Sequence, residues 1–253
     1  MKTFFCTYAD KNFKNSKKKI IKEANDFGFD FIFDYDRDDL PESFIKESNG
    51  IIDKEKGGGY WLWKPWVLIN TLNAMNNNDV LVYLDAGCKI NIKAKKRFRE
   101  YLELAKKNKG TFAFYMPGLI ECNYTADKVF KYFNIDYNSN AYTSEQFVGG
   151  VIIIIKNDFT VKLVESFYES ALRKSELFDD YDIESSCLNF KAHRHDQSVF
   201  SIIRKVNNIY SIPNETHYPD LINPIEYPFW AIRRKDFSYL RIKKAFLGRM
   251  KKL

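Results

Sequence analysis

The stretch that decides the fold is residues 57–88, GGGYWLWKPWVLINTLNAMNNNDVLVYLDAGC. Three glycines open it, allowing backbone conformations and close approaches that a side chain would block. Tyr60, Trp61, Trp63 and Trp66 then crowd into seven positions, with Lys64 and Pro65 between them. Proline suits the first turn of a helix, where its missing N–H would be unpaired in any case. Pro65 therefore predicts a helix to about Met75, carrying Val67, Leu68, Leu72 and Met75. Lys64 falls at the N-terminus of that helix, beside free amides and the positive end of the dipole, a setting that suits phosphate oxygens. After the polar residues 76–79, VLVYLD is an apolar run with β-branched and aromatic residues and reads as a buried strand. It closes in Asp85-Ala86-Gly87. Ligands of open α/β sheets bind just beyond the carboxyl ends of strands, so Asp85 is placed to meet a ligand or a metal. The alternative is a turn carboxylate that caps the next backbone amides.

Outward from this stretch, strand-like and helix-like segments alternate, which predicts an α/β fold with a largely parallel sheet. Residues 3–8 read as the first strand, 15–27 as a helix with Ser16 a possible cap, and 29–33 as the second strand. A short helix is expected over 40–47, another helix over 93–107, and a strand over 111–116 ended by Pro117-Gly118. A helix over 125–133, with Thr125 a possible cap, precedes SEQFVGGVIIII, read as one strand over 145–155 interrupted by Gly149 and Gly150. An amphipathic helix over 158–174, a polar loop over 179–189, a helix over 195–206 and a short strand over 209–212 follow. With no repeat or linker, one domain is expected over residues 1–235.

Composition narrows the class. At 253 residues and 45% hydrophobic content the chain can bury a substantial core. Cys6, Cys88, Cys122 and Cys187 show no close spacing and read as reduced, mostly buried thiols of a cytosolic protein. Met1-Lys2 leads directly into TFFCTY, with no signal-peptide pattern. The net charge of +7 is a property of the end of the chain: residues 232–253 hold nine basic residues and one acid, so the preceding 231 residues sum to −1. Over 236–253, Tyr239, Leu240, Ile242, Phe246, Leu247, Met250 and Leu253 fall on one side of a helical wheel, and most of the basic residues on the other. Such a basic amphipathic helix suits an anionic membrane surface or docking on the domain. Nucleic acid is disfavoured, because the near-neutral body offers no basic groove.

The GYWLWKP segment followed by YLDAG resembles small viral and bacterial sugar transferases of the GT-A glycosyltransferase type. The resemblance implies a Rossmann-like domain with a mostly parallel sheet and a nucleotide-sugar donor, UDP- or GDP-linked. With the reduced cysteines and the basic end of the chain, the expectation is a cytoplasmic protein, peripheral at the inner membrane surface, acting on a surface glycan or its lipid-linked precursor. In that class an Asp-x-Asp motif after the fourth strand holds the donor and a divalent cation, Mn²⁺ or Mg²⁺. Here Asp85 matches the first acid and Gly87 stands in place of the second, so the cation would lean on Asp85. The ends of the first strand, Thr7 and Tyr8, and residues Lys64, Asp85, Ala86, Gly87, Gly149 and Gly150 are the implied nucleotide-sugar contacts. Tyr8 either stacks on the base or packs at its strand end.

Two further constellations carry candidate chemistry. Ser144, Glu145 and Gln146 precede Gly149 and Gly150, where the resemblance implies the floor of the sugar and acceptor site and a floor without side chains lets a ligand press on the backbone; the alternative is a strand bulge with a surface Glu145. Asp196 and Gln197 open the helix over 195–206, and Asp196 lies 111 residues after Asp85, where the resemblance implies an acid or an Asp-Gln pair that serves the transfer. Glycosyl transfer passes through an oxocarbenium-like state and needs a base on the acceptor hydroxyl or a group facing the anomeric carbon. Asp196 as that base implies inversion; Asp196 and Gln197 merely holding the donor sugar leaves retention open. Asp196 as a helix-start acid complementing the dipole is the plain alternative. His193 and His195, two apart, suit neither one helical face nor a zinc site. Two rival functions stay open: a degenerate domain that binds a glycan or nucleotide without turnover, and a basic peripheral membrane or RNA-binding protein.

Overall fold

The computed structural model describes residues 1–181, 183–217 and 223–233. Its centre is a four-stranded sheet in the order β2-β1-β3-β7, with β1 (Thr3–Tyr8), β2 (Phe31–Tyr35), β3 (Val80–Leu84) and β7 (Val151–Ile155). β1 runs parallel to both β2 and β3, and β7 pairs antiparallel to β3. The central sheet is thus mixed and mostly parallel. Two smaller sheets flank it: β4 (Lys89–Ile90) with β9 (Phe229–Trp230), and β6 (Glu145–Phe147) with β5 (Ala113–Ile120) and β8 (Ser211–Pro213).

The apolar runs are continuous because both faces of the central sheet are covered. Side chains alternate along a strand, and the core divides accordingly. Phe4, Cys6, Tyr8, Leu81 and Tyr83 face a cluster with Trp66, Val67 and Leu68 of α4 (Lys64–Asn73), Leu163 and Phe167 of α8 (Asp158–Arg173), and Phe200 and Ile203 of α9 (His195–Val206). Phe5, Val80, Val82 and Leu84 face the opposite cluster, with Ile20 and Ala24 of α1 (Lys14–Phe27) and Phe98 and Leu102 of α5 (Lys95–Lys107). The result is helices on both sides of a sheet. Shorter helices are α2 (Glu42–Glu47), α3 (Gly57–Tyr60), α6 (Asp127–Tyr132) and α7 (Asn140–Thr143).

Several local expectations are corrected. Ser16 is buried inside α1, whose N-cap position is Phe13; a 3₁₀ turn precedes the helix, and Asp10 caps that turn by accepting from the Asn12 amide. Thr125 donates its hydroxyl to Glu121 instead of capping α6. Pro117-Gly118 does not end β5, which runs on to Ile120. β8 pairs only as far as Tyr115, so the missing N–H of Pro117 costs no bond on that side. The single strand expected over 145–155 is two strands in two different sheets, broken at Gly149-Gly150. The strand after α9 starts at Ser211 and β2 starts at Phe31, each two residues later than expected.

The glycine run takes an unusual form. Residues 57–61 all have positive φ, from 52° at Tyr60 to 96° at Gly59, so α3 is a left-handed turn. At Gly59 this is obligatory on two counts, because a Cβ there would also lie 2.5 Å from the Ile52 Cα. Tyr60 and Trp61 have no such excuse, and left-handed backbone costs an ordinary residue about 1–2 kcal/mol. Contacts hold them there: Tyr60 N bonds to the Lys56 carbonyl at 2.7 Å, and both rings pack on His195 with centroids 5.1 and 5.3 Å away.

Candidate active site

Asp85 follows directly on the carboxyl end of β3, an interior strand of the central sheet. Tyr83 lies two residues earlier on the same strand and donates its hydroxyl to Asp85 Oδ1 at 2.6 Å. The Asp85 amide bonds to the Gly150 carbonyl at 3.0 Å, so the turn after β3 is tied to the residue just before β7. A Cβ on Gly150 would lie 2.7 Å from Asp85 Oδ2, and one on Gly149 would lie 2.9 Å from the Gln197 Cβ. Each glycine therefore makes room for one of the candidate site residues.

Lys64, at the start of α4, joins the cluster. Its Nζ lies 2.5 Å from Asp196 Oδ2, 3.1 Å from Asp85 Oδ1 and 3.2 Å from the Gly149 carbonyl. The Lys64 and Asp196 side chains are 3% and 7% exposed, whereas Asp85 is 40% exposed. Asp85 is thus the open end of a buried ion pair. Burial pushes the Asp196 carboxyl up to about 6; Asp85 adds to this push and Lys64 opposes it. Burial works against the Lys64 ammonium, but Asp196 and Asp85 together outweigh it and hold its pKa above the ordinary lysine value. One cation between two carboxylates leaves the cluster net negative, so a proton is readily held on Asp196.

Gln197 is positioned by a chain of buried amides. Glu121, fully buried, accepts from Gln146 Nε2 at 2.8 Å. That fixes the Gln146 carbonyl toward Gln197, which donates to it at 2.6 Å. Gln197 Oε1 in turn accepts from the Gly149 amide at 3.1 Å. The carboxylate at the far end can only accept, so it sets the orientation of every amide after it. Lys205 Nζ pairs with Glu121 at 2.9 Å and balances its charge.

Other candidates fall elsewhere. Glu145 is not part of the cluster; at the start of β6 it lines a cavity of about 660 Å³ with Tyr115, Ser144, Phe147, Lys205 and Ser211. Thr7 is buried and donates to the Leu84 carbonyl at 2.7 Å. Tyr8 is 3% exposed, with its ring stacked on Trp63 at 3.9 Å, so the face a base would need is covered. Ala86 is buried beside Asp85, and Gly87 stands in the turn that closes with the Cys88 amide on the Asp85 carbonyl at 2.8 Å. His193 accepts from the Ala126 amide through Nδ1 and donates from Nε2 to the Leu177 carbonyl at 2.8 Å. His195 donates from Nδ1 to the Phe178 carbonyl at 2.7 Å. Burial lowers the pKa of both, to about 3 for His193, and they act as neutral straps on the segment before α9. Among the described residues no group of three or more His, Cys, Asp or Glu side chains could hold a metal ion. Asp85 Oδ1 is engaged by the Tyr83 hydroxyl and the Lys64 ammonium.

Sequence reasoning passed over Tyr83 and Glu121, and named Gln146 only as a neighbour of Glu145 before the glycine pair. Tyr83 was legible, since positions two apart on a strand share a face with Asp85. Nothing local distinguishes Gln146 from Glu145 beside it, or marks Glu121.

No family model matches the sequence, and no curated protein matches it. Among solved structures, the chain is similar to a glycosyltransferase involved in glycosylation of the major capsid of PBCV-1. The identity is 8%, with 97% of this chain and 100% of that one covered at a TM-score of 0.49. It is also similar to mouse xyloside xylosyltransferase 1, at 8% identity over 91% of this chain and 96% of that one, TM-score 0.43. The galactosyltransferase LgtC, solved with donor and acceptor sugar analogs, aligns at 13% identity over 84% and 74% of the two chains, TM-score 0.36. The functional reading rests on the residues of the site. No helix of the described residues is long and apolar enough to cross a membrane.

Proposed function

We propose that this chain is a GT-A-type glycosyltransferase that moves a sugar from a nucleotide-sugar donor to a hydroxyl of a surface glycan or lipid-linked acceptor. The observation that carries the reading is the convergence of Lys64, Asp85 and Asp196 at the carboxyl end of β3, with Gln197 held beside Gly149. In transfer, the acceptor oxygen bonds to the anomeric carbon as the bond to the nucleoside diphosphate breaks, and the hydroxyl proton passes to a base. Asp85, open to solvent, meets the donor, with Ala86 and Gly87 forming the turn beside it. Were a divalent cation such as Mn²⁺ or Mg²⁺ to accompany the diphosphate, Asp85 would be the residue to hold it, and it would supply Lewis-acid stabilisation of the diphosphate's charge. Asp196, gripped by Lys64, holds the ammonium at the site and sets the local charge. Gln197 and the Gly149-Gly150 floor face the donor sugar.

The test is a panel of UDP-, GDP-, CMP- and dTDP-sugars, measuring donor hydrolysis and transfer to simple acceptors, with and without EDTA. Turnover of one nucleotide class supports the reading; no turnover of any donor overturns it. A second reading, a domain that binds a nucleotide or glycan without turnover, is favoured by Gly87 standing where a second acid is usual. It predicts binding of a nucleotide sugar by calorimetry with no product.

The basic segment 236–253 lies outside the described residues. On its sequence we assign it to an anionic membrane surface, which would place a cytoplasmic enzyme beside a lipid-linked acceptor.

A further inference from the structure

Cys122 and Cys187 are 65 residues apart in sequence, yet their sulfurs lie 2.8 Å from each other. Their spacing gave no sign of pairing, because the contact is made by a loop folding back on a turn. Cys122 is buried in the 3₁₀ turn Glu121–Asn123 that follows β5, and Cys187 is partly exposed in the segment 179–194 that leads into α9. The Asn123 side-chain oxygen accepts from both thiols, at 3.7 and 3.2 Å. Backbone bonds hold the two segments together on either side of the pair. Asp127 N bonds to the Glu184 carbonyl at 3.0 Å, Lys191 N to the Asn123 carbonyl at 2.8 Å, and Arg194 N to the Tyr124 carbonyl at 3.1 Å. Ser186 adds a bond from its amide to Asp127 at 2.9 Å. The sulfurs are therefore brought together by contacts that do not depend on a bond between them.

We propose that Cys122 and Cys187 form a modification site: they close a disulfide by exchange with a low-molecular-weight disulfide such as oxidised glutathione, stapling the segment 179–194 to the turn after β5. Cys187, the more exposed thiol, attacks first as its thiolate. The glutathione S–S bond breaks, one glutathione thiolate leaves, and a mixed disulfide forms on Cys187. The Cys122 thiolate then attacks the Cys187 sulfur and expels the second glutathione. Two protein thiols are oxidised, one glutathione disulfide is reduced to two thiols, and the protons balance through solvent. The Cys122 thiol is pushed up to about 12 by burial and by the neighbouring Cys187, so the closing step draws on a rare thiolate and is slow. The staple joins the turn that carries Glu121 to the segment that leads into Asp196 and Gln197. This holds whatever the site acts on.

The test equilibrates the full chain in mixtures of reduced and oxidised glutathione, quenches in acid, alkylates free thiols and maps peptides by mass spectrometry. A linked Cys122–Cys187 peptide pair, with buried Cys6 and Cys88 unreacted, is expected. Cleavage within 179–194 by a protease should slow on the order of tenfold after oxidation and recover with dithiothreitol, since closure suppresses local opening. C122S should accumulate glutathione on Cys187, whereas the unaltered chain should pass through that adduct. Both thiols staying alkylable in fully oxidising buffer, or glutathione persisting on Cys187 of the unaltered chain, overturns the proposal. A linked pair with unchanged proteolysis overturns the stapling.

Discussion

A lysine buried between two carboxylates is the decisive feature at the scale of single residues. Asp85→Asn keeps the shape of the side chain and removes its charge at the open end of the cluster, so we expect transfer to fall about a hundredfold or more with little change in melting. Activity within threefold of the unaltered chain would reduce Asp85 to a turn residue. Lys64→Met acts differently, because it leaves Asp196 buried without its partner. Breaking a buried pair from one side costs about 3–5 kcal/mol, so the denaturation midpoint should fall clearly. Combining it with Asp196→Asn should recover much of the loss. The pH dependence has a definite sign. The Asp196 carboxyl is held near 6 against an ordinary 3.8, so the folded chain binds that proton more tightly than the unfolded chain. Its contribution to stability is full below about pH 4 and is lost as pH rises through about 6. Asp196→Asn should flatten this part of the stability–pH curve. Transfer, which needs the charged pair with Lys64, should rise with a midpoint near 6, and melting and rate profiles measured side by side would check both.

The break between β6 and β7 is the key element. The chain leaves one sheet and enters another at Gly149-Gly150, and the two missing side chains admit Gln197 and Asp85. Gly150→Ala would press a methyl group against the Asp85 carboxylate. Overpacking of this kind typically costs about 1–3 kcal/mol, but the loss of transfer should exceed what that destabilisation explains, because the displaced group is the one proposed to meet the donor. We expect at least about a tenfold fall in kcat with a modest drop in Tm. A variant with normal kcat would show that Asp85 tolerates displacement.

For the whole molecule, charge is divided: a near-neutral body and a strongly basic end. Each Lys or Arg near an anionic bilayer contributes roughly 1 kcal/mol, screened by salt. Removing residues 236–253 should therefore release the protein from anionic vesicles in a sedimentation assay, as should high salt, while transfer to a small soluble acceptor persists. If this segment instead docks on the domain, its removal lowers Tm by several degrees and the intact chain ignores vesicles at low salt.

What the sequence by itself determined were the features set by neighbours along the chain. The strand ending at Asp85 and the helix opening at Lys64-Pro65 were readable because a buried strand, a helix start and a turn are each written within a few residues. The same locality placed Asp196 and Gln197 at the start of α9. Only the tertiary structure decided that Lys64 faces Asp196, 132 residues away, and not open solvent. It also selected Gln146 over Glu145 and brought Cys122 to Cys187. Alternation along a strand says which residues share a face, but not which face another element will cover. The long-range partners follow from the starts of α4 and α9 meeting the Gly149 backbone beside Asp85, and no local period encodes that meeting.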